Sequence, residues 1–410
     1  MPELFTVVTP DEALTSLRSH VMHRVDSHKI KAHLAAGQTT AEDIFVPSDL
    51  PSFARSTMDG YAVLAMDTYG ASESVPAYLN LIGEIPMGQP AGLALSRGEV
   101  VVVHTGGMLP DGSDAVVMLE NTQGVDEHTI EIMRPVAPGE NVLQIGDDVK
   151  KGQMLFASGH FLKAQDIGGL MGLGITEVIV SKRPSVFILS TGDELISPRQ
   201  EMTPGKIRDI NTYSLSAITL QAGAIPITAD IVGDNYEELR NASMSAIAQS
   251  DMLVISAGSS VSTRDITANV IASLGSPGIL VHGISIKPGK PTILACVEGK
   301  PVIGLPGNPV SAFVIFELFA VPVMHWLAGC KNPPIHPIIK AQLTNNIASV
   351  TGREDYISVK LRTTDKGVFA EPLFGESNLI STMIMADGMA NIPLNISGMA
   401  AGEFVSVRLF

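Results

Sequence analysis

The sequence predicts an α/β plus β chain of several domains: a mainly parallel α/β domain, a β-rich insertion before it and a β-barrel-like tail after it. Three observations carry this. First, 410 residues exceed the roughly 250–300 at which a single hydrophobic core stops growing, so roughly two to four domains are expected. Second, from Arg183 the pattern is strand, loop, helix, repeated, which argues for a largely parallel sheet covered on both faces, with ligands outside the carboxyl ends of its strands. Third, short β-branched runs separated by Gly, Pro and Asp stand on either side of that region.

Each element follows in order. Thr9-Pro10-Asp11 reads as a helix start, and Ala13, Leu14 and Leu17 share one face of the helix behind it. From about Val46 to Gln144, GEVVVVHTGG, DAVVMLE and HTIEIM read as strands of a small β-rich region. GENVLQIGDDVKKGQMLF and QDIGGLMGLG then give a turn-rich connection and a short helix that return toward the N-terminal segment. SVFILSTGDELI, IPITADIVGD and DMLVISAGSS read as buried strands that end in polar loops. TYSLSAITLQAG, NYEELRNASMSAIAQ and RDITANVIASLG read as the helices between them. After the Pro-rich KNPPIHP, the runs IIKAQLTNNI, DYISVKLRTT, GVFAEPLF and GEFVSVRLF predict the terminal β domain.

Composition narrows the function. Charged residues make up 17%, against about 25% in a typical domain, and the mean hydropathy is +0.26. Much buried small aliphatic surface follows, a subunit interface included, so a homo-oligomer is expected. With 42 acidic and 27 basic residues and a formal charge of -15, nucleic acid and anionic membrane are poor partners, and a soluble cytoplasmic protein is expected. Cys296 and Cys330 are the only cysteines, with neither CxxC nor zinc spacing, which points to a reducing compartment. Cys296 reads as an apolar strand residue. MPELFTVVTPDEAL lacks a basic and an apolar signal region, so the chain is expected to start as it stands. The run from Val310 to Gly329 could span a bilayer by length, but Glu317, Pro322 and His325 interrupt it without a basic flank. A buried or dimer-contact helix is expected, and no membrane.

Candidate chemistry lies in four loops expected at one sheet edge: Ser190 to Glu194, Gly233-Asp234, Ala257 to Asp265, and the pair KPGKP and LPGNP. Gly and Ser let backbone and hydroxyl donors approach phosphate, whereas Glu194, Asp234 and Asp265 are hard oxygen ligands that suit Mg²⁺ beside substrate phosphate. Lys287 and Lys290 add positive charge. At 4 Å a charge pair is worth about 1 kcal/mol in water and about 4 at an effective dielectric near 20, so a partly buried pair could select a dianion. Leu305 to Pro309 precede a helix with Ser311 in its first turn, where free N–H groups favour anions. Plainer readings stand beside these. Thr191 to Glu194 and KPGKP can be turns, and Asp234 can cap a helix. Asp59 can sit in a hairpin turn, Thr105 can close a strand, and His104 can serve packing or a turn.

The loops occur in an order that resembles the molybdopterin molybdenumtransferase family, bacterial MoeA and the E domain of gephyrin. PSFARSTMDGYAV, HTGGMLPDGSDAVVMLE, STGDEL, GKIRDINTYSL, SAGSSVSTRD, IKPGKP, GLPGNPVSAF, GRED and GESNLIST carry the resemblance over nearly the whole chain. It implies an elongated homodimer of four-domain subunits. These are a linker and dimerisation domain (1–45 with 145–180), a β-rich domain (46–144), a MogA-like molybdopterin-binding α/β domain (181–329) and a C-terminal β domain (332–410). It also implies a reaction: molybdate or tungstate enters adenylylated molybdopterin, with Mg²⁺-dependent release of AMP, to form molybdenum cofactor.

By motif, Asp265 is implied at Mg²⁺ and the phosphoanhydride, with Glu194 as a second metal ligand and Asp234 in support. Lys287, Lys290, Ser260, Ser311, Arg353 and Ser377, with Pro291, are implied in the oxyanion pocket. Thr191, Gly192, Asp193, Gly258, Ser259, Pro306, Gly307, Asn308 and Pro309 are implied in substrate binding. Asp59 and Thr105 are implied at the partner subunit's cleft. A MogA-type protein and apo-molybdoenzymes are the implied partners. The chain departs from the family pattern at Ala257, Ser259 and Ser262, where two glycines and an apolar residue are usual, and at Ala54-Arg55, where Asp-Asn is common. A pterin carrier or scaffold and a molybdopterin adenylyltransferase are the alternative functions.

Overall fold

The computed structural model describes residues 7–258 and 261–410, without the side chains of 261–264. The chain divides into two compact units. One comprises Met1–Glu42, Ser158–Ile167 and Glu177–Phe410; the other comprises Asp43–Ala157 and Gly168–Thr176.

At the centre of the first unit is a six-stranded sheet in the order Ile225–Thr228, Ser185–Ser190, Met252–Ala257, Lys300–Pro306, Ile293–Val297, Pro277–His282. The first four strands are parallel; Ile293–Val297 pairs antiparallel with Lys300–Pro306, and Pro277–His282 antiparallel with Ile293–Val297. The strand period of two sends alternate residues to opposite faces. Val186, Ile188, Met252 and Val254 pack with Leu215 and Ile218 of the helix Asn211–Gln221 and with Ile315 and Phe319. Phe187, Leu189, Leu253 and Ile255 pack with Leu239 of Tyr236–Gln249 and with Val270 and Ile271 of Val261–Ser273. Both faces are therefore covered, which is why these strands read as continuous apolar runs.

The N-terminal helix Pro10–His20 starts with a capping box. The Thr9 hydroxyl oxygen accepts from the Glu12 N–H, and the Glu12 carboxylate accepts from the Thr9 N–H. Its buried Ala13 and Leu17 join the first of the two clusters. The apolar run after LPGNP is helical from Pro309 to Leu327 and 78% buried, with a π-helical turn at Phe316–Ala320. It is a core helix of this unit. Cys296 and Cys330 are free and buried, and burial pushes both thiols above their ordinary range.

The C-terminal strands form a second six-stranded sheet: Ile286–Lys287, Glu354–Thr364, Gly367–Pro372, Ile338–Leu343, Phe404–Leu409, Gly388–Ile392. Gly388–Ile392 also pairs with Glu354–Thr364 and closes a five-stranded barrel. That strand, GMANI, carries little β-branched signal and was not legible as one. Ile286–Lys287 comes from the lysine loop and joins the barrel in parallel, with Lys287 opposite Asp355. The barrel thereby fixes one end of KPGKP.

In the second unit a six-stranded sheet runs Ala115–Met118, Gly60–Val63, Glu99–Val103, Ala77–Glu84, Thr129–Ile132, Thr122–Gly124. Val63, Val100, Val117 and Ile132 are buried in its core. Gly60 is required for close approach, since a Cβ there would stand 2.0 Å from the Val117 carbonyl oxygen. The glycine lets the strand after Asp59 lie against its neighbour.

Candidate functional site

Two clefts in the first unit adjoin at the LPGNP loop, and Asn308 lines both. The first has a volume of about 680 Å³ and is lined by Lys287, Lys290 and Pro291 of the lysine loop, Pro306, Asn308 and Ser311, and Arg353 and Ser377 of the C-terminal region. These residues are distant in sequence; the parallel sheet and the barrel bring them to one place. Ser311 is buried, whereas Lys287 and Lys290 are exposed rather than partly buried. Each lysine therefore faces water on a flexible stem, and its attraction for an anion rises only as a ligand displaces that water. Arg353 is held differently: Nε and one Nη donate to the two carboxylate oxygens of Asp355 at 2.7 and 3.1 Å. Asp355 is fully buried, so the guanidinium is fixed as a planar donor at the cleft wall. Tyr356, also in the wall, donates to Glu354, and burial with that carboxylate pushes its hydroxyl pKa up.

The LPGNP loop is clamped from three sides. Asn308 Nδ2 donates to Ser377 Oγ at 2.8 Å, and the Val310 N–H donates to the Ser377 carbonyl at 3.1 Å. Asn211 Nδ2 donates to the Gly307 carbonyl at 2.9 Å and to Ser256 Oγ at 2.7 Å. A Cβ on Gly307 would lie 2.4 Å from the Ala257 carbonyl oxygen, so this glycine lets the loop press onto the end of the Met252–Ala257 strand.

The second cleft, about 630 Å³, is lined by Thr191, Glu194, Gly258, Gly307, Asn308 and Pro309. Leu195, Met202, Ile207, Ile210 and Ile380 make much of the remaining wall apolar, and Arg208, Asn378, Asp209, Asn211 and Ser256 are polar lining. The last three were not singled out, although GKIRDINTYSL, which holds two of them, is one of the strings that carry the family resemblance. For Asp209 and Asn211 the available signal is two polar residues just ahead of the predicted helix TYSLSAITLQAG; Ser256, inside a strand, carries none.

Gly192, Asp193 and Asp234 line neither cleft. Thr191 Oγ1 donates to Asp234 Oδ1 at 3.2 Å, and Asp193 Oδ1 accepts the Asp234 N–H at 3.1 Å. These two loops thus brace each other behind Thr191. Asp234 is not the helix cap: Asn235 is, its side chain accepting from the N–H groups of Glu237 and Glu238. Asp265 is exposed on the helix Val261–Ser273 and also lines neither cleft. Ser259 and Ser260 lie outside the described residues. For Mg²⁺, Glu194 fits as a single oxygen ligand beside a substrate phosphate. No group of three or more His, Cys, Asp or Glu side chains comes together among the described residues.

In the second unit Asp59 and Thr105 meet: the Thr105 N–H donates to Asp59 Oδ1 at 2.9 Å. His104 opens a turn, its carbonyl accepting the Gly107 N–H at 2.8 Å, while its ring faces two carboxylates. Its Nε2 bonds Glu84 Oε1 at 2.7 Å, and its Nδ1 stands 3.8 Å from Asp59 Oδ1.

Comparison with known proteins assigns the chain. Residues 8–174 match a family model described as "MoeA N-terminal region (domain I and II)", 187–326 match "Probable molybdopterin binding domain", and 340–410 match "MoeA C-terminal region (domain IV)". A molybdopterin molybdenumtransferase of Nostoc is 32% identical over 93% of this chain and 88% of its own. That of Haemophilus influenzae is 30% identical over 98% and 99%. The crystal structure of a MoeA protein from Pyrococcus horikoshii OT3 superposes with a TM-score of 0.85 at 31% identity, covering 99% of this chain and all of that one. The chain belongs to the MoeA family of molybdopterin molybdenumtransferases, enzymes of molybdenum cofactor biosynthesis.

Proposed function

We propose that this enzyme inserts molybdate or tungstate into adenylylated molybdopterin and releases AMP in a Mg²⁺-dependent step. The observation that carries the reading is the pair of clefts joined at Asn308: one sets three cations, Lys287, Lys290 and Arg353, against the single carboxylate Glu376, and the other is largely apolar with Glu194, Asp209 and Arg208 as its charged groups. Lys287, Lys290 and Arg353 would hold the oxyanion, with Ser311 and Ser377 as hydroxyl donors, and Pro291 would shape that wall. The second cleft would hold the adenylylated pterin, with Thr191, Gly258, Gly307 and Pro309 against it. Glu194 would hold Mg²⁺ at the cleft, with Asp265 as the second ligand that the family motif implies, and the ion when bound offsets charge on the phosphoanhydride. Water adds to phosphorus, the phosphoanhydride P–O bond breaks and AMP leaves. Two oxygens of the oxyanion take up protons and leave as water as the two dithiolene sulfurs bind the metal.

Asp59 and Thr105 are assigned to the cleft of a second copy, in a cytoplasmic homodimer of the four domains given above. Such a dimer would take substrate from a MogA-type protein and pass product to apo-molybdoenzymes. The test is AMP release from adenylylated molybdopterin with Mg²⁺ and titrated molybdate or tungstate. Release should depend on the oxyanion, disappear in Asp265→Asn and fall about a hundredfold in Lys290→Ala, the cost of an unmatched charge of about 2–3 kcal/mol in a desolvated complex. Tight binding without AMP release would overturn the reading in favour of a carrier, and ATP consumption in favour of an adenylyltransferase.

A further inference from the structure

The second cleft holds a polar pair that no step above uses. Asp209 is 6% exposed and Asn211 7%; both line this cleft. The Asp209 carboxylate is engaged at one oxygen only. Oδ1 accepts the Thr212 N–H at 3.1 Å and the Ser190 hydroxyl at 3.3 Å, while Oδ2 has no partner among the described residues. Asn211 spends both amide hydrogens on Ser256 and Gly307, and its Oδ1 is buried without a partner. Buried polar groups in native proteins are hydrogen-bonded as a rule, and an exception calls for an explanation. Here the orphaned Asn211 Oδ1 and, two residues away, the Asp209 Oδ2 that its own partners leave open border one cavity whose walls are largely apolar, with Arg208 and Glu194 as its other charged side chains.

Acceptors on the protein ask for donors on the ligand. A 2-amino-4-oxopyrimidine ring, the recognition half of a pterin, presents an amino group and a ring N–H side by side. Apolar walls such as Leu195, Ile210 and Ile380 suit its flat faces. Adenine is the poorer match, because ring nitrogen lone pairs flank its amino group and would face the carboxylate. We propose that Asp209 is the specificity-determining acceptor for the 2-amino-4-oxo edge of a pterin, with Asn211 as the positioning residue beside it. This rests on the reading of the second cleft as the pterin site. Asp209 also borders a more polar cavity of about 490 Å³ with Thr212, Tyr213 and Asp230, so the nucleotide half of the substrate is the competing occupant.

The full-length protein is titrated with pterin, with lumazine, which carries an oxygen in place of the 2-amino group, and with AMP. Binding is followed by ligand fluorescence or calorimetry. Wild type should prefer pterin to lumazine by tenfold or more. Asp209→Asn can keep the Thr212 N–H bond through its carbonyl and offers an amide N–H to the lumazine oxygen, so it should abolish or reverse that preference. Thermal melting checks that Asp209→Asn is folded, and Asp209→Glu is the second variant if it is not. Its longer carboxylate should keep the preference for pterin at reduced affinity. Four results would overturn the proposal: no pterin binding by wild type up to millimolar concentration, equal binding of pterin and lumazine, a parallel loss of both in Asp209→Asn, or a loss confined to AMP. Oxyanion-dependent AMP release by wild type, assayed alongside, separates the two failures. If release persists without pterin selectivity, Asp209 is only a cap of the helix Asn211–Gln221; if pterin selectivity stands without release, the transferase reading fails and this one survives.

Discussion

The two clefts on either side of Asn308 are built on opposite principles. In the first, charge does the work: two lysines reach into solvent on free stems, and only Arg353 is fixed, by the buried Asp355. In the second, the polar atoms are buried and already oriented, Asp209 by Ser190 and Thr212, Asn211 by Ser256 and Gly307. Mobile charges attract a small symmetric anion from any approach but discriminate little. Fixed acceptors reject a ligand that lacks matching donors, because a buried polar group left unpaired costs about 1–3 kcal/mol. On the proposed function, one cleft serves capture and the other selection.

The largest expected effect tests whether the clefts are as separate as this contrast suggests. Gly307→Ala would place a methyl 2.4 Å from the Ala257 carbonyl oxygen and 3.1 Å from Gly258 Cα, and neither neighbour can yield without moving backbone. Overpacking of this kind costs about 1–3 kcal/mol of stability. Because Asn308 lines both clefts and holds Ser377, affinity for oxyanion and for pterin should fall together, by about tenfold, in parallel titrations of the variant. A loss confined to one ligand would show that the loop serves only that cleft.

Ionic strength gives a smaller, graded separation. The Debye length shrinks from about 10 Å at 0.1 M salt to about 3 Å at 1 M, and the lysines of the first cleft are exposed to that screening. Molybdate affinity should fall several-fold over this range in calorimetric titrations with a non-competing salt. Pterin affinity, set by buried acceptors and apolar walls, should hold steady or rise. Equal salt dependence in both clefts would break the contrast between mobile charge and fixed acceptors.

The same contrast explains what could be read from the sequence. Lys287, Lys290, Arg353 and the Pro-Gly turns announce themselves by residue type, and their order along the chain made the family resemblance specific. The α/β rhythm was equally plain, because strands covered on both faces are continuous apolar runs. Asp209 and Asn211 were not legible as chemistry. Asp and Asn ahead of a helix are ordinary caps, and only the folded structure shows Asn211 Oδ1 buried without a donor and the Asp209 contacts confined to Oδ1. GMANI escaped for a related reason: its five residues become a barrel strand through pairing with Glu354–Thr364 and Phe404–Leu409, a tertiary effect that overrides weak local propensity. Asp193 and Asp234 have the residue types of ligands, yet their contacts here brace two loops.

The smallest effect concerns the helix that begins at this shared loop. Pro309–Leu327 carries Ser311 at one end and, further along, Glu317 beside Arg408 and His336. Glu317 and His325 border the same cavity. Burial raises the Glu317 pKa against the opposing pull of Arg408. Burial lowers the pKa of His325, helped by His336, and that of His336, helped by Arg408. A histidine depressed in the fold contributes stability above its unfolded value, near 6.5, and loses it as pH falls through the folded value. Glu317 acts the other way. Its raised value means that the fold binds the proton more tightly than the unfolded chain, so it adds stability as pH falls toward its unfolded value. Melting followed from pH 7.5 to 5 should therefore show a decline of a few degrees that begins below about 6.5. His325→Gln should flatten that decline, and Glu317→Gln should steepen it relative to its own value at pH 7.5. Since both clefts depend on the start of this helix, pterin and molybdate binding should weaken together as the decline sets in. Loss of molybdate binding alone over that range would place its cause in the first cleft rather than in the helix beneath both.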